Sequence, residues 1–148
     1  MSGCCCPSST PFSPILFFAT STEAALNIVG AGEVTVLTLG VSSSSPGPHQ
    51  VKLDSTVELT LTTNNVTNNY SILYRLKRND VVAPLAMIQV DRRTNANIAG
   101  TIHTQTPNLT WNDTISTSVT YSITIQVVAS VGLTTIQAGT RALNAIVF

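Results

Sequence analysis

The strongest constraint in this chain is an alternation of period two between residues 115 and 129. Ile115, Thr117, Val119, Tyr121, Ile123, Ile125, Val127 and Ala129 fall on one face, with Ser116, Ser118, Thr120, Ser122, Thr124 and Gln126 opposite. Successive side chains of a strand point to opposite sides, so the pattern is that of a half-buried antiparallel strand, straight or bent, and not of an amphipathic helix. The same period recurs elsewhere. Val57, Leu59 and Leu61 alternate with Thr56, Glu58, Thr60 and Thr62, while Tyr70, Ile72, Tyr74 and Leu76 alternate with Ser71, Arg75 and Lys77. Asn64 to Asn69 reads as the turn between these two strands. Arg78-Asn79-Asp80 reads as a tight hairpin into a strand from Val81 to Val90, which Pro84 confines to an edge or bulge. Val34 to Val41, Ile98 to Thr104, Leu133 to Ala138 and Arg141 to Phe148 are further strands, and Glu23 to Val29 is a single helical turn or a first strand. No sustained helical period occurs. About eight to ten short strands with regular turn signals predict an all-β fold, a two-sheet antiparallel β-sandwich of the jelly-roll kind.

At 148 residues the chain suits one domain with a self-sufficient core. Charged residues are 9% of it, where about a quarter is typical, so Thr, Ser and Asn carry the polar surface. Seven Lys plus Arg balance seven Asp plus Glu, which removes the basic field that nucleic acid or anionic lipid requires. It also removes the repulsion that keeps copies apart, so association is expected. No apolar run reaches the length of a membrane span, and Ile15-Leu16-Phe17-Phe18-Ala19 is too short, with no Lys or Arg before it, for a signal peptide. Neither a membrane span nor a cleavable leader is expected.

Residues 1–19 differ in kind from the rest. Cys4-Cys5-Cys6 precedes a Pro/Ser/Thr stretch and then the apolar patch, so this segment reads as a flexible, extended N-terminal arm in front of a β-jelly-roll domain at residues 20–148. The chain's three cysteines are all in that cluster. Neighbouring thiols bond to each other only through a strained ring, so Cys4, Cys5 and Cys6 are expected to form interchain disulfides or to be a reduced tail with no role, and the apolar patch of Ile15, Leu16, Phe17 and Phe18 is expected to bind a surface.

Other chemistry finds little support. Asn27 to Val34 carries Gly30 and Gly32, but position 35 is Thr and the residues that follow alternate as a strand, so a dinucleotide site fails its helix requirement. His49 and His103 have no metal-ligand spacing to other His, Cys or carboxylates and read as surface residues. Asp54 and Glu58 stand on one strand face too far apart for paired acid–base work. No nucleophile elbow is present. Arg75, Lys77, Arg78, Arg92 and Arg93 gather at the hairpin beside Asp80 and Asp91, an ion-paired rim. Trp111 is core, interface or a sugar platform, and the sequons at Asn65, Asn69, Asn108 and Asn112 follow from a Thr- and Asn-rich composition. The chain is therefore expected to be no enzyme and to use no cofactor or metal.

A Cys-Cys-Cys arm with a Pro/Ser/Thr spacer and an apolar patch, joined to a neutral Thr/Val/Ile-rich sandwich, resembles the endospore appendage (Ena) fibre subunits of Bacillus-group bacteria. It also resembles the TNF/C1q-like domains of BclA-type exosporium glycoproteins. The resemblance implies a structural protein, a self-assembling subunit of an extracellular spore-surface fibre in the exosporium or coat. Its partners would be copies of itself, including stacked trimers, and a spore-surface anchor protein. On that reading residues 1–19 leave their own domain, with Cys4 to Cys6 as the fastening and Ile15 to Phe18 as the docking patch. The chain departs from both groups: its body has no cysteine to receive the arm's sulfurs, and it has no collagen-like Gly-X-Y stalk. Arm-to-arm bonding, or bonding to another protein, is what remains for those sulfurs. The rival readings are a lectin-like or receptor-binding module using Trp111, and a viral coat or tail subunit.

Overall fold

The structure is a computed structural model that describes residues 15–64, 67–94 and 100–148. Its strands are β1 (Leu16–Thr22), β2 (Leu26–Asn27), β3 (Glu33–Val41), β4 (His49–Thr63), β5 (Asn68–Arg78), β6 (Ala86–Thr94), β7 (Ile102–Gln105), β8 (Asn108–Ile115), β9 (Val119–Val131) and β10 (Leu133–Val147). One sheet runs β1-β10-β4-β7, with β2 also on β10 and β8 also on β4, and the other runs β3-β9-β5-β6. All pairings are antiparallel. Most connections cross from one sheet to the other, so strands distant in sequence become neighbours, and the strand order is that of a jelly roll. No helix among the described residues is long and apolar enough to cross a membrane.

Period two sets the core. Leu53, Leu59 and Leu61 of β4 face Tyr70, Ile72, Tyr74 and Leu76 of β5, together with Tyr121, Ile123 and Ile125 of β9 and Leu143 of β10, all fully buried. The intervening Thr, Ser, Lys and Gln side chains point outward. Burying these eleven side chains, at roughly 1.5–3 kcal/mol each, supplies the main favourable term.

Several boundaries differ from the sequence reading. The 115–129 alternation is divided between the end of β8 at Ile115 and the start of β9 at Val119. The turn at Asn79 and Asp80 leads into residues 81–85 outside any strand, and pairing resumes only at Ala86. Pro84 has no N–H to give the ladder, and Val82 stands in solvent. Residues 133–138 and 141–148 join as the single strand β10, whose register shifts between Ala138 and Arg141. The bulge takes up the extra residues without ending the strand.

The domain boundary also moves. Leu16 to Thr22, of which the sequence reading assigned Leu16 to Ala19 to the arm, form the first strand of the molecule's own sheet, in register with Val147 to Arg141. Alternate side chains there match the core face of β10, and local proline content carries no information about that pairing. Cys4, Cys5 and Cys6, and the rest of residues 1–14, lie outside the described residues.

Candidate assembly surface

Pairing of β1 on β10 divides the proposed docking patch in two. Leu16 and Phe18 turn inward and pack against the core, whereas Ile15 and Phe17 turn outward with 56% and 75% of their surface exposed. A strand cannot present four consecutive side chains to one partner. Of Ile15, Leu16, Phe17 and Phe18, expected from the sequence to dock together, only Ile15 and Phe17 face outward. These two acquire new neighbours: Phe17 is opposite Ile146, and Phe148, 49% exposed, follows directly on β10. An apolar corner results from residues at the two extremes of the sequence. The Phe148 amide donates to Gln50 O at 2.9 Å, and His49 Nδ1 lies 3.1 Å from Phe148 O, so β4 holds this corner in place.

Arg141 secures the far end of the same strand pair. Its guanidinium donates to the carbonyl oxygens of Val36 (3.0 Å), Ala24, Ala138 and Gly139 (each 2.8 Å). Only 6% of the residue is exposed. A buried cation must find acceptors, and here the β10 bulge, the β1–β2 connection and β3 supply them from backbone alone. Nothing in the sequence pattern singled Arg141 out, because one charged residue beside Gly139-Thr140 reads as solvent-facing.

On the opposite flank an ionic cluster joins the sheets. Arg78 Nη1 lies 2.7 Å from Asp113 Oδ2 and also donates to Thr114 O, while Nε pairs with Asp80. Tyr121 Oη donates to the same Asp113 oxygen at 2.7 Å. Burial, then the Asp113 carboxylate, push the Tyr121 phenol up; burial opposes the charge on Arg78, but its bonds to Asp80 and Asp113 prevail and raise it. Tyr74 Oη donates to Ser55 Oγ at 2.9 Å, and burial pushes that phenol up to about 12. On the outer face of the second sheet Glu33 accepts from Thr124 and pairs with Lys77 (3.3 Å) and Arg75 (3.4 Å). The Thr124 bond leads the causes that hold the Glu33 carboxyl below its ordinary range, with burial opposing and the two cations assisting.

The remaining candidates are placed as follows. His49 and His103 are buried on the inner face of β4 and β7, a correction to their reading as surface residues, since both occupy core-facing positions of the alternation. Burial, with Arg92 nearby, lowers the basicity of His103. Trp111 pairs with Leu53 on the inner side of edge strand β8 and is 39% exposed. Asp54 accepts from Thr110 Oγ1 at 2.7 Å. Gly30, with φ of 78°, serves the bend between β2 and β3, beside a cleft of about 570 Å³ that the β9–β10 hairpin closes. Among the described residues no group of His, Cys, Asp and Glu is arranged to hold a metal ion.

No protein-family model and no curated relative matches the chain. Among solved structures, it is similar to a structure of infectious bursal disease virus Gx strain (10% identity over 90% of this chain and 32% of that one, TM-score 0.40). It is likewise similar to T=1 particles derived from infectious bursal virus (13%, covering 89% and 31%, TM-score 0.43) and to the VP2 subviral particle of infectious bursal disease virus (14%, covering 89% and 33%, TM-score 0.41). The chain spans about a third of the length of those structures.

Proposed function

We propose that the protein is a structural subunit that assembles with copies of itself into an extracellular fibre of the spore-appendage kind, and that it carries out no catalysis. One observation carries the reading: Ile15 and Phe17, which follow the cysteine-bearing segment in the sequence, form an apolar corner with Ile146 and Phe148 on a chain of zero net charge. Covering the exposed side chains of that corner contributes roughly 1.5–3 kcal/mol each, enough for a weak contact that many repeats and interchain disulfides at Cys4, Cys5 and Cys6 make permanent. A neutral surface with 9% charged residues opposes close approach little. Spore-surface localisation, an anchor protein as second partner and the absence of a cofactor belong to the same proposal.

Negative-stain microscopy of the purified chain, with gels run with and without reductant, tests it. Filaments are expected, with a ladder that collapses on reduction. Deleting residues 1–14 is expected to leave a folded body that forms no filaments, whereas deleting 1–19 would also remove most of β1 and damage the sheet. Long filaments from the chain lacking residues 1–14 would sink the proposal.

A further inference from the structure

Four strands or strand pairs border the two sheets, and most of them carry a charge that hinders pairing with another chain. Strand β6 carries Asp91, Arg92 and Arg93; β3 opens on the ion-paired Glu33; β8 contains Asp113; β7 has only four residues. Strand β1, with the sequence Leu-Phe-Phe-Ala-Thr-Ser-Thr, has seven residues and neither charge, Pro, Gly nor bulge. Natural sheets protect exposed edges with such features, so an edge of this length that no described residue covers is a pairing site. Its inner face is also unsealed. Leu16 and Phe18 are half-buried, while their partners on β10, Val147 and Ala145, are fully buried. Among the described residues, the core on this flank lacks one more strand's worth of cover.

We propose that β1 pairs antiparallel with β1 of a second copy, across a two-fold axis near Ala19, the middle residue of the strand. This rests on the reading of the chain as an assembling subunit. An identical strand is the partner that the edge fits: antiparallel pairing of a strand with itself is self-complementary, brings no like charges together and extends the sheet without a break. Outward-facing Ala19 is small, so nothing obstructs the approach at the axis. The geometry has a consequence for growth. The two Leu16 ends lie about 20 Å apart at opposite ends of the paired ribbon, so the segments bearing Cys4, Cys5 and Cys6 are joined to the dimer at opposite ends. Each dimer thereby has two attachment points through which bonds between the sulfurs of successive dimers can join it to others.

Sedimentation velocity of the full chain in reductant, which leaves only non-covalent contacts, is expected to show a dimer. Ala19→Lys sets two like charges against each other at the axis and is expected to raise the dissociation constant about 100-fold with an unchanged circular dichroism spectrum. Should that variant fail to fold, Ala19→Cys in a chain whose Cys4, Cys5 and Cys6 are Ser decides the matter: oxidation is expected to join the two copies through residue 19. A reduced wild-type chain that stays monomeric, a dimer indifferent to Ala19→Lys, or an Ala19→Cys chain that does not cross-link would each overturn the proposal. Its fate is separable from that of the fibre reading. A β1-dependent dimer that forms no filament on oxidation leaves the pairing standing and removes the fibre, and filaments from a reduced monomer do the reverse.

Discussion

Arg141 and Arg78 both turn a guanidinium inward, yet Arg141 meets only backbone carbonyls whereas Arg78 meets the carboxylates of Asp113 and Asp80. On the flank near β1 and β2 the guanidinium is thus held by backbone carbonyls alone, and on the flank near β8 it enters an ion pair with a tyrosine attached. The first solution makes the anchor dependent on one side chain that no single neutral residue replaces, because several carbonyls lose their donor together. In the second, the charge is shared among several groups, and removal of any one leaves partners with some alternative.

The sharpest way to break this contrast is to remove the carbonyl-bound arginine. Arg141→Ala is expected to cost about 3 kcal/mol or more, since the buried acceptors around it lose a donor and a cavity opens. Urea unfolding at constant m-value measures it, and Arg141→Lys should recover less than half, because an ammonium cannot span the same acceptors. A loss under about 1 kcal/mol would mean that water replaces the guanidinium and that the bulge does not depend on it. On the other flank Asp113→Ala is expected to cost about 2 kcal/mol, less than Arg141→Ala because Arg78 retains Asp80 and Thr114 O. A double-mutant cycle between Asp113 and Tyr121 should show positive coupling; strict additivity would show the contact to be idle.

The smallest effect concerns Glu33, at the outer face where charge is partly exposed. Its carboxyl is lowered in the folded protein, so the unfolded chain binds the proton more tightly. The Glu33 contribution is accordingly complete above the ordinary value of 4.5 and is lost as pH falls through the lower folded value. Solvent screening keeps it below about 1 kcal/mol. Glu33→Gln is expected to flatten the stability profile in that acid window and leave it unchanged at neutral pH beyond a constant offset; an unaltered acid slope would assign the slope to another group.

Much of the sandwich was legible because β3, β4, β5 and β9 alternate with few exceptions, and the burial of a sheet's two faces is written in that alternation. Strand β8 was not legible. Its inward positions are Leu109, Trp111, Asp113 and Ile115, and the carboxylate among them breaks the pattern because its purpose is to meet Arg78 and Tyr121 from other strands. Strand β1 was misplaced for the opposite reason: prolines upstream of it suggested an arm, while its partner lies over a hundred positions away in β10. Of the four residues expected to dock together, Ile15 and Phe17 therefore face outward, and Leu16 and Phe18 pack against the core.

The chain's own residues determined that it would be built of antiparallel strands, with Thr-, Ser- and Asn-rich outer faces and almost no electrostatic field, because side-chain alternation and charge balance are local properties. Only the tertiary structure decided that Phe17, Ile146 and Phe148 meet at one corner, that Arg141 is buried among carbonyls, and that β1 ends its sheet among the described strands. Those facts depend on which distant strands pair, and register between strands is set by the packing of the whole core, which no stretch of residues contains by itself.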